Sequence, residues 1–232
     1  MKRVYLGNKE LTTIATVTNG GGGGDDTQKW VDFLNGTLTE FTVPEGVTKI
    51  KAYAFNEYAT LTSVTISNSV TSISNYAFVN CSALTSIIIP NSVTSIGEYA
   101  FEGCSSLTDI TIPNSVISIG NYVFSSCANL SSVTIGTGVT AISNYAFYYC
   151  SSLTDITIPN SVTEIGRRAF DYCSELASVT IQNSTSKIAY NGNAFAYISS
   201  TAKLYVPSNL LADYQADSNW TGAFGGGIFA IQ

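Results

Sequence analysis

A chain of 232 residues with 16 acidic and 10 basic side chains carries a net charge of −6, and no Lys or Arg occurs between Leu61 and Asn160. Displacing counterions from phosphate requires clustered basic side chains, so nucleic acid and anionic membrane are poor partners for this chain. There is no histidine, which removes Ser-His-Asp and Cys-His catalysis and the common imidazole metal sites.

Residues 1–24 open with MKRVYLGNKE and end in the glycines Gly20–Gly24. The start is basic but has no continuous apolar stretch, so it does not read as a signal peptide. No apolar run in the chain approaches the length of a membrane span. The glycines read as a flexible linker, and residues 2–18 as a detached β-hairpin or a tail. Residues 25–37, beginning DDTQKWVDFLNG, predict a short helix. Asp26 can cap its start, Trp30, Phe33 and Leu34 form its apolar stripe, and Gly36 ends it. A stacked core exposes its ends, so this helix is assigned as the N-terminal lid.

From Leu38 to residue 200 the chain repeats itself with a 23-residue period. Phe55, Phe78, Phe101, Phe124, Phe147 and Phe170 keep this step without exception, and Phe195 comes two places late. All five cysteines keep the same step: Cys81, Cys104, Cys127, Cys150 and Cys173. Repeats start at Leu38, Leu61, Leu84, Leu107, Leu130, Leu153 and Leu176, the seventh carrying a two-residue insertion near AYNGNAF. In LTSIIIPNSVTSIGEYAFEGCSS (84–106), Leu84, Ile87, Ile89, Val93, Ile96, Ala100, Phe101 and Cys104 are the inward set. LTSIIIP suits a short strand with Ile87 and Ile89 facing in. Pro90 ends the pairing because it has no N–H to donate. VTSI predicts a second short extended piece. GEYAFEGC, with Ala, Phe and Cys near helical spacing, predicts one turn of helix. A single coil cannot bury eight apolar side chains, so each needs a near-copy above and below. Residues 201–232 predict a C-terminal cap: a strand in KLYV, a proline, then a helix with Ser208 as N-cap and Leu210, Leu211 and Tyr214 inward. Trp220, Phe224 and Ile228 are expected to cover the last coil.

L-x-x-I-x-I followed by Asn is the leucine-rich-repeat signal, although here Asn68, Asn91, Asn114 and Asn160 fall one place early. The full line, L-x-x-I-x-I-P-x-x-V-x-x-I-G-x-x-A-F-x-x-C, closely resembles the BspA-like leucine-rich-repeat family of bacterial and protist surface proteins over residues 38–200. The resemblance implies a right-handed solenoid with a concave parallel β-sheet and short strands and helical turns on the other side. It also implies a cell-surface or extracellular location and a function in binding or adhesion to a protein or glycan. The opening segment faintly resembles that of some phage-encoded structural proteins, which makes a spacer or fibre component the alternative.

Candidate chemistry is thin. A column of cysteines, one per coil, is a line, and a line cannot supply four tetrahedral ligands to zinc. The thiols therefore read as a buried ladder, and no cofactor is expected. Asp109 and Asp155 share an outward column two coils apart, roughly 9–10 Å by strand spacing, but nothing apolar beside them would raise one pKa. They read as solvated carboxylates, and the chain is not expected to be an enzyme. The glycine runs lack the Lys-Ser or Lys-Thr of a phosphate loop. Two surfaces remain as binding candidates. One is the outward strand face centred on Asp109, Thr111, Asp155 and Thr157. The other is a tyrosine column, Tyr53, Tyr76, Tyr99, Tyr122 and Tyr145, ended by Arg168. Tyrosine is favoured at interfaces because it is rigid with a polar tip.

Overall fold

The computed structural model describes residues 5–6, 9–10, 37–190 and 192–231. Tyr5–Leu6 pairs antiparallel with Lys9–Glu10, a hairpin within the segment where one was expected. The predicted linker at 20–24 and the lid helix, except for Thr37, lie outside the described residues.

Each repeated line forms one coil with three sides. The first side is a row of longer strands: Glu40–Thr42, Ser63–Thr65, Ser86–Ile88, Asp109–Ile112, Ser132–Ile135, Asp155–Ile158, Ser178–Ile181, Lys203–Val206 and Ile228–Ala230. Paired neighbours are parallel and in repeat register, for example Ile110 against Val133 and Ile156 against Val179. Alternation places Ile and Val inward and Ser, Thr and Asp outward. Every proline of the chain (Pro44, Pro90, Pro113, Pro159 and Pro207) stands just past one of these strands. The carbonyls of Pro90, Pro113 and Pro159 then accept from Val93, Val116 and Val162 N–H to close the corner.

The second side is a row of two-residue strands, from Lys49–Ile50 through Ser118–Ile119 and from Ala141–Ile142 to Ala189–Tyr190. Coils approach closely just after it. A Cβ added at Gly120 would lie 2.3 Å from the Glu98 nitrogen of the preceding coil, which is why Gly follows Ile there.

The third side differs from the expected helical turn. Tyr76, Tyr99, Tyr122 and Tyr145 adopt left-handed backbone with φ between 56° and 59°, which bulky residues rarely do. Four residues on, Asn80, Gly103, Ser126 and Tyr149 do the same. Alternate N–H groups then leave the coil: Tyr99, Phe101 and Gly103 donate to the carbonyls of Asn121, Val123 and Ser125 in the next one. Helical i→i−4 bonding would keep those donors at home, so the coil-to-coil bonds win and a pair of tight turns replaces the helix.

The core is a continuous column. Phe78, Phe101 and Phe124 are fully buried, with ring centroids 5.1 and 5.3 Å apart and nearly parallel planes. Leu84, Val93 and Ile96 are buried with them. A fully buried Leu, Val or Ile contributes about 1.5–3 kcal/mol, so one coil gains only when its neighbours cover both of its faces.

At the C-terminal end Trp220, Phe224 and Ile228 are buried as expected, with Phe224 5.1 Å and Trp220 5.8 Å from Phe195. Two details differ. Ser208 is not an N-cap. It starts a 3-10 turn, Ser208–Leu210, and the following helix α1 (Leu211–Gln215) has no side-chain cap. Pro207 supplies the preset φ that starts the turn instead. The closing segment also does more than cover the core. Lys203–Val206 pairs with Ser178–Ile181, and Ile228–Ala230 pairs with Lys203–Val206, so the strand row runs on by two strands. Asp217 caps a second helix, α2 (Ser218–Ala223), by accepting from Asn219 N–H.

Candidate recognition surfaces

The cysteine ladder is closed to solvent. All five thiols are free and buried, and each donates to the carbonyl of a phenylalanine in the preceding coil, Cys127 to Phe101 at 3.2 Å and Cys150 to Phe124 at 3.2 Å. Burial pushes Cys81 up to about 12 and Cys104 and Cys150 well above the usual thiol range. Such thiols are poor nucleophiles. Among the described residues no group of three His, Cys, Asp or Glu could hold a metal ion.

The tyrosine column is real but inward-looking. Centroids of Tyr76, Tyr99, Tyr122 and Tyr145 stand 4.4–4.8 Å apart and near-parallel. Tyr76, Tyr99 and Tyr122 therefore have a tyrosine on both ring faces, and mainly their edges and hydroxyls are left for solvent. A second column went unread in the sequence: Tyr149, Tyr172 and Tyr197 stack at 4.3 and 4.5 Å, two places after the core Phe. Its signal is a tyrosine that recurs at the repeat step and then two places late across the insertion, confined to the last three coils. Arg168 does end the first column. Its Nε lies 3.4 Å from the carboxylate of Asp171. Asp171 is 1% exposed; burial pushes its carboxyl up and Arg168 pulls it partly back.

Two populations of Ser, Thr and Asn side chains contrast with each other. One is consumed between coils. Thr62 and Thr85 donate to the carbonyls of Thr39 and Thr62. Ser92, Ser115 and Ser161 donate to Val70, Val93 and Val139. Asn114, Asn121 and Asn144 side chains accept backbone N–H from the next coil. The other population points outward from the long strands. The hydroxyls of Ser86, Ser132 and Ser178, with those of Thr111, Thr134, Thr157 and Thr180, make no hydrogen bond among the described residues. Asp109 and Asp155 are exposed here, each accepting only from the preceding threonine. Asp109 and Thr111 thus share one strand and Asp155 and Thr157 another, with Ser132 and Thr134 between. Tyr99, Tyr122 and Tyr145 lie on the turn side, so the two candidate sets form separate surfaces.

The same strand face ends in a feature missed in the sequence. Ser178, Thr180, Lys203, Tyr205, Phe229 and Ile231 line a shallow concavity of about 730 Å³. Tyr205 and Phe229 continue the outward Thr157–Thr180 column, with centroids 5.9 Å apart and tilted by 33°. Lys203 Nζ stands 6.0 Å from the Phe229 ring. The last two pairings, Ser178 with Lys203 and Tyr205 with Phe229, each step by more than one repeat length. A strictly periodic reading therefore loses the column here.

Parallel coils, short strands and a repeated apolar line define a leucine-rich-repeat solenoid. A family model of the BspA type leucine rich repeat region matches in six copies over residues 32–154 and 117–215, and the chain belongs to that family. Among solved structures it is similar to the T. pallidum leucine rich repeat protein TpLRR at 29% identity and a TM-score of 0.65, covering 68% of this chain and 76% of that one. A leucine-rich repeat protein from Bacteroides ovatus is 26% identical with a TM-score of 0.48, over 84% of this chain and 61% of that one. A leucine rich cell surface protein from Faecalibacterium prausnitzii is 24% identical with a TM-score of 0.42, over 72% and 65%. A comparison with curated proteins gave no match. No helix among the described residues is long and apolar enough to cross a membrane.

Proposed function

We propose that this chain is a non-catalytic recognition module, displayed at a cell surface, that binds a protein or glycan through its long-strand face. One observation carries the reading. Many hydroxyls and amides elsewhere are tied into coil-to-coil hydrogen bonds, whereas the outward hydroxyls of the long strands from Ser86 to Thr180 make none among the described residues. A polar surface kept in register over many coils and left unpaired is suited to a multi-point ligand. Membership of a surface-protein family supports the location. The tyrosine strip is the weaker surface, because stacked rings withhold the faces that anchor an interface.

A screen of the purified chain against immobilised extracellular-matrix proteins and a glycan array tests this. With a ligand in hand, Asp109→Ala with Asp155→Ala should weaken binding more than Tyr99→Ala with Tyr122→Ala. The reverse order, in variants that still fold, would move the site to the tyrosine strip. A chain that binds nothing on either panel would be a spacer.

A further inference from the structure

We propose that the C-terminal end of the strand face is a subsite for a sugar bearing a carboxylate, formed by Lys203, Tyr205 and Phe229 with Ser178 and Asp155. The inference rests on reading this face as the recognition surface.

The argument begins with charge. Among the described outward positions of the long strands, Lys203 is the sole cation; the carboxylates there are Glu40, Asp109 and Asp155. Lys203 forms no ion pair among the described residues and sits at the rim of the concavity, over the Phe229 ring. An ammonium beside a ring, with no acidic partner among the described residues, suits an anionic ligand group. A carboxylate on a sugar supplies that charge together with a flat C–H face.

The rings supply the matching surface. Phe229 is 43% exposed and lies on the last strand of the row, paired with Tyr205 on one side only, so its ring is open to a ligand. Its position is built into the backbone. Gly227 has φ +100°, and a Cβ there would sit 3.1 Å from the Phe229 ring. A side chain there would crowd the ring, and the positive φ favours glycine.

The hydrogen-bonding groups complete it. Strand register sets Asp155 opposite Ser178 and Ser178 opposite Lys203. An acceptor, a hydroxyl and a cation thus stand in one line at steps of roughly 4.8 Å. That spacing approximates one pyranose ring per step or two. Sugar hydroxyls would donate to Asp155, exchange bonds with Ser178, and leave the carboxylate to Lys203. The site is shallow and open along the strands, which fits a chain ligand rather than an enclosed small molecule.

The test is calorimetric titration of the full chain with an oligogalacturonate and with sialyllactose, each beside its neutral counterpart (the carboxyl-reduced oligosaccharide and lactose). The expected result is binding of at least one acidic sugar, about tenfold or more weaker for its neutral partner, and weakened by salt. Lys203→Met and Phe229→Ala should each weaken it about tenfold, with thermal unfolding unchanged because both side chains are exposed. The sugar that binds identifies the source, uronate or sialate. Equal binding of acidic and neutral sugars overturns the proposal, as does binding that ignores Lys203→Met and Phe229→Ala. Binding only to a matrix protein, lost on Asp109→Ala with Asp155→Ala, also overturns it and leaves the broader recognition reading standing. No binding on any panel removes both.

Discussion

The turn side and the long-strand face are built from similar residues and use them in opposite ways. On the turn side, tyrosine faces meet tyrosine faces, and backbone N–H groups meet carbonyls of the next coil. On the strand face, the hydroxyls of Ser132, Thr134 and Thr157 make no hydrogen bond among the described residues, and Phe229 shows its ring to solvent. Composition alone therefore says little about what a surface is for. What matters is whether its groups are already occupied.

The largest test is in the core that both sides enclose. Phe101→Ala should cost about 3–5 kcal/mol in chemical denaturation, since neighbouring rings cannot collapse into the gap while their own coils hold them. A loss below about 1 kcal/mol, the range of surface changes, would mean that the ring column is not the spine of the fold.

Next comes an occupied polar group in the cap. The Tyr214 hydroxyl, fully buried, accepts the Ile188 N–H at 2.9 Å. Tyr214→Phe leaves that donor unpaired, at a cost of about 1–3 kcal/mol in the same denaturation measurement.

Asp217 should matter less, and its contribution should depend on pH. Its carboxylate takes the Lys187 ammonium at 2.7 Å and caps α2 through Asn219 N–H. The hydrogen bond from Lys187 first, and that cap second, hold its carboxyl below the usual carboxylate range. A depressed folded pKa means stability that is fully present above the unfolded value near about 4 and lost as pH falls through the folded value. Asp217→Ala should thus lower the melting temperature at neutral pH, by the equivalent of about 1 kcal/mol, and change little in strong acid. An equal deficit at both pH values would contradict the linkage.

The smallest difference is the sharpest comparison, because one substitution is made on two sides. Ser115 donates to the Val93 carbonyl at 2.7 Å, while the Ser132 hydroxyl on the strand face is idle. Ser115→Ala should cost about 1 kcal/mol, and Ser132→Ala less than about 0.5 kcal/mol. Equal costs would erase the division between spent and unspent hydroxyls.

Much of the fold was legible because the solenoid writes its contacts into its period. Phe101 packs against its own copies one repeat away on either side, Phe78 and Phe124, so the column is visible in the linear sequence. The turn side was not legible in the same way. Ala100, Phe101 and Cys104 have helical spacing, but the left-handed conformation of Tyr99 is imposed by bonds to another coil, which no local window contains. The outward faces of Asp109, Thr111, Asp155 and Thr157 followed from strand alternation. Lys203, Tyr205 and Phe229 did not, because the insertion before Phe195 shifts the register and the last strand arrives only after two helices.

The left-handed turns also give the molecule an electrical direction. In each coil from that of Tyr76 to that of Tyr172, the three alternating donors of the turn side all point toward the C-terminal neighbour, as Tyr122, Phe124 and Ser126 do to Asn144, Ala146 and Tyr148. In the strand rows successive peptide dipoles alternate and nearly cancel. On the turn side they add, as in an α-helix, but with the positive pole at the C-terminal end. Over a central stretch without a single Lys or Arg, the backbone supplies this polarity along the solenoid axis.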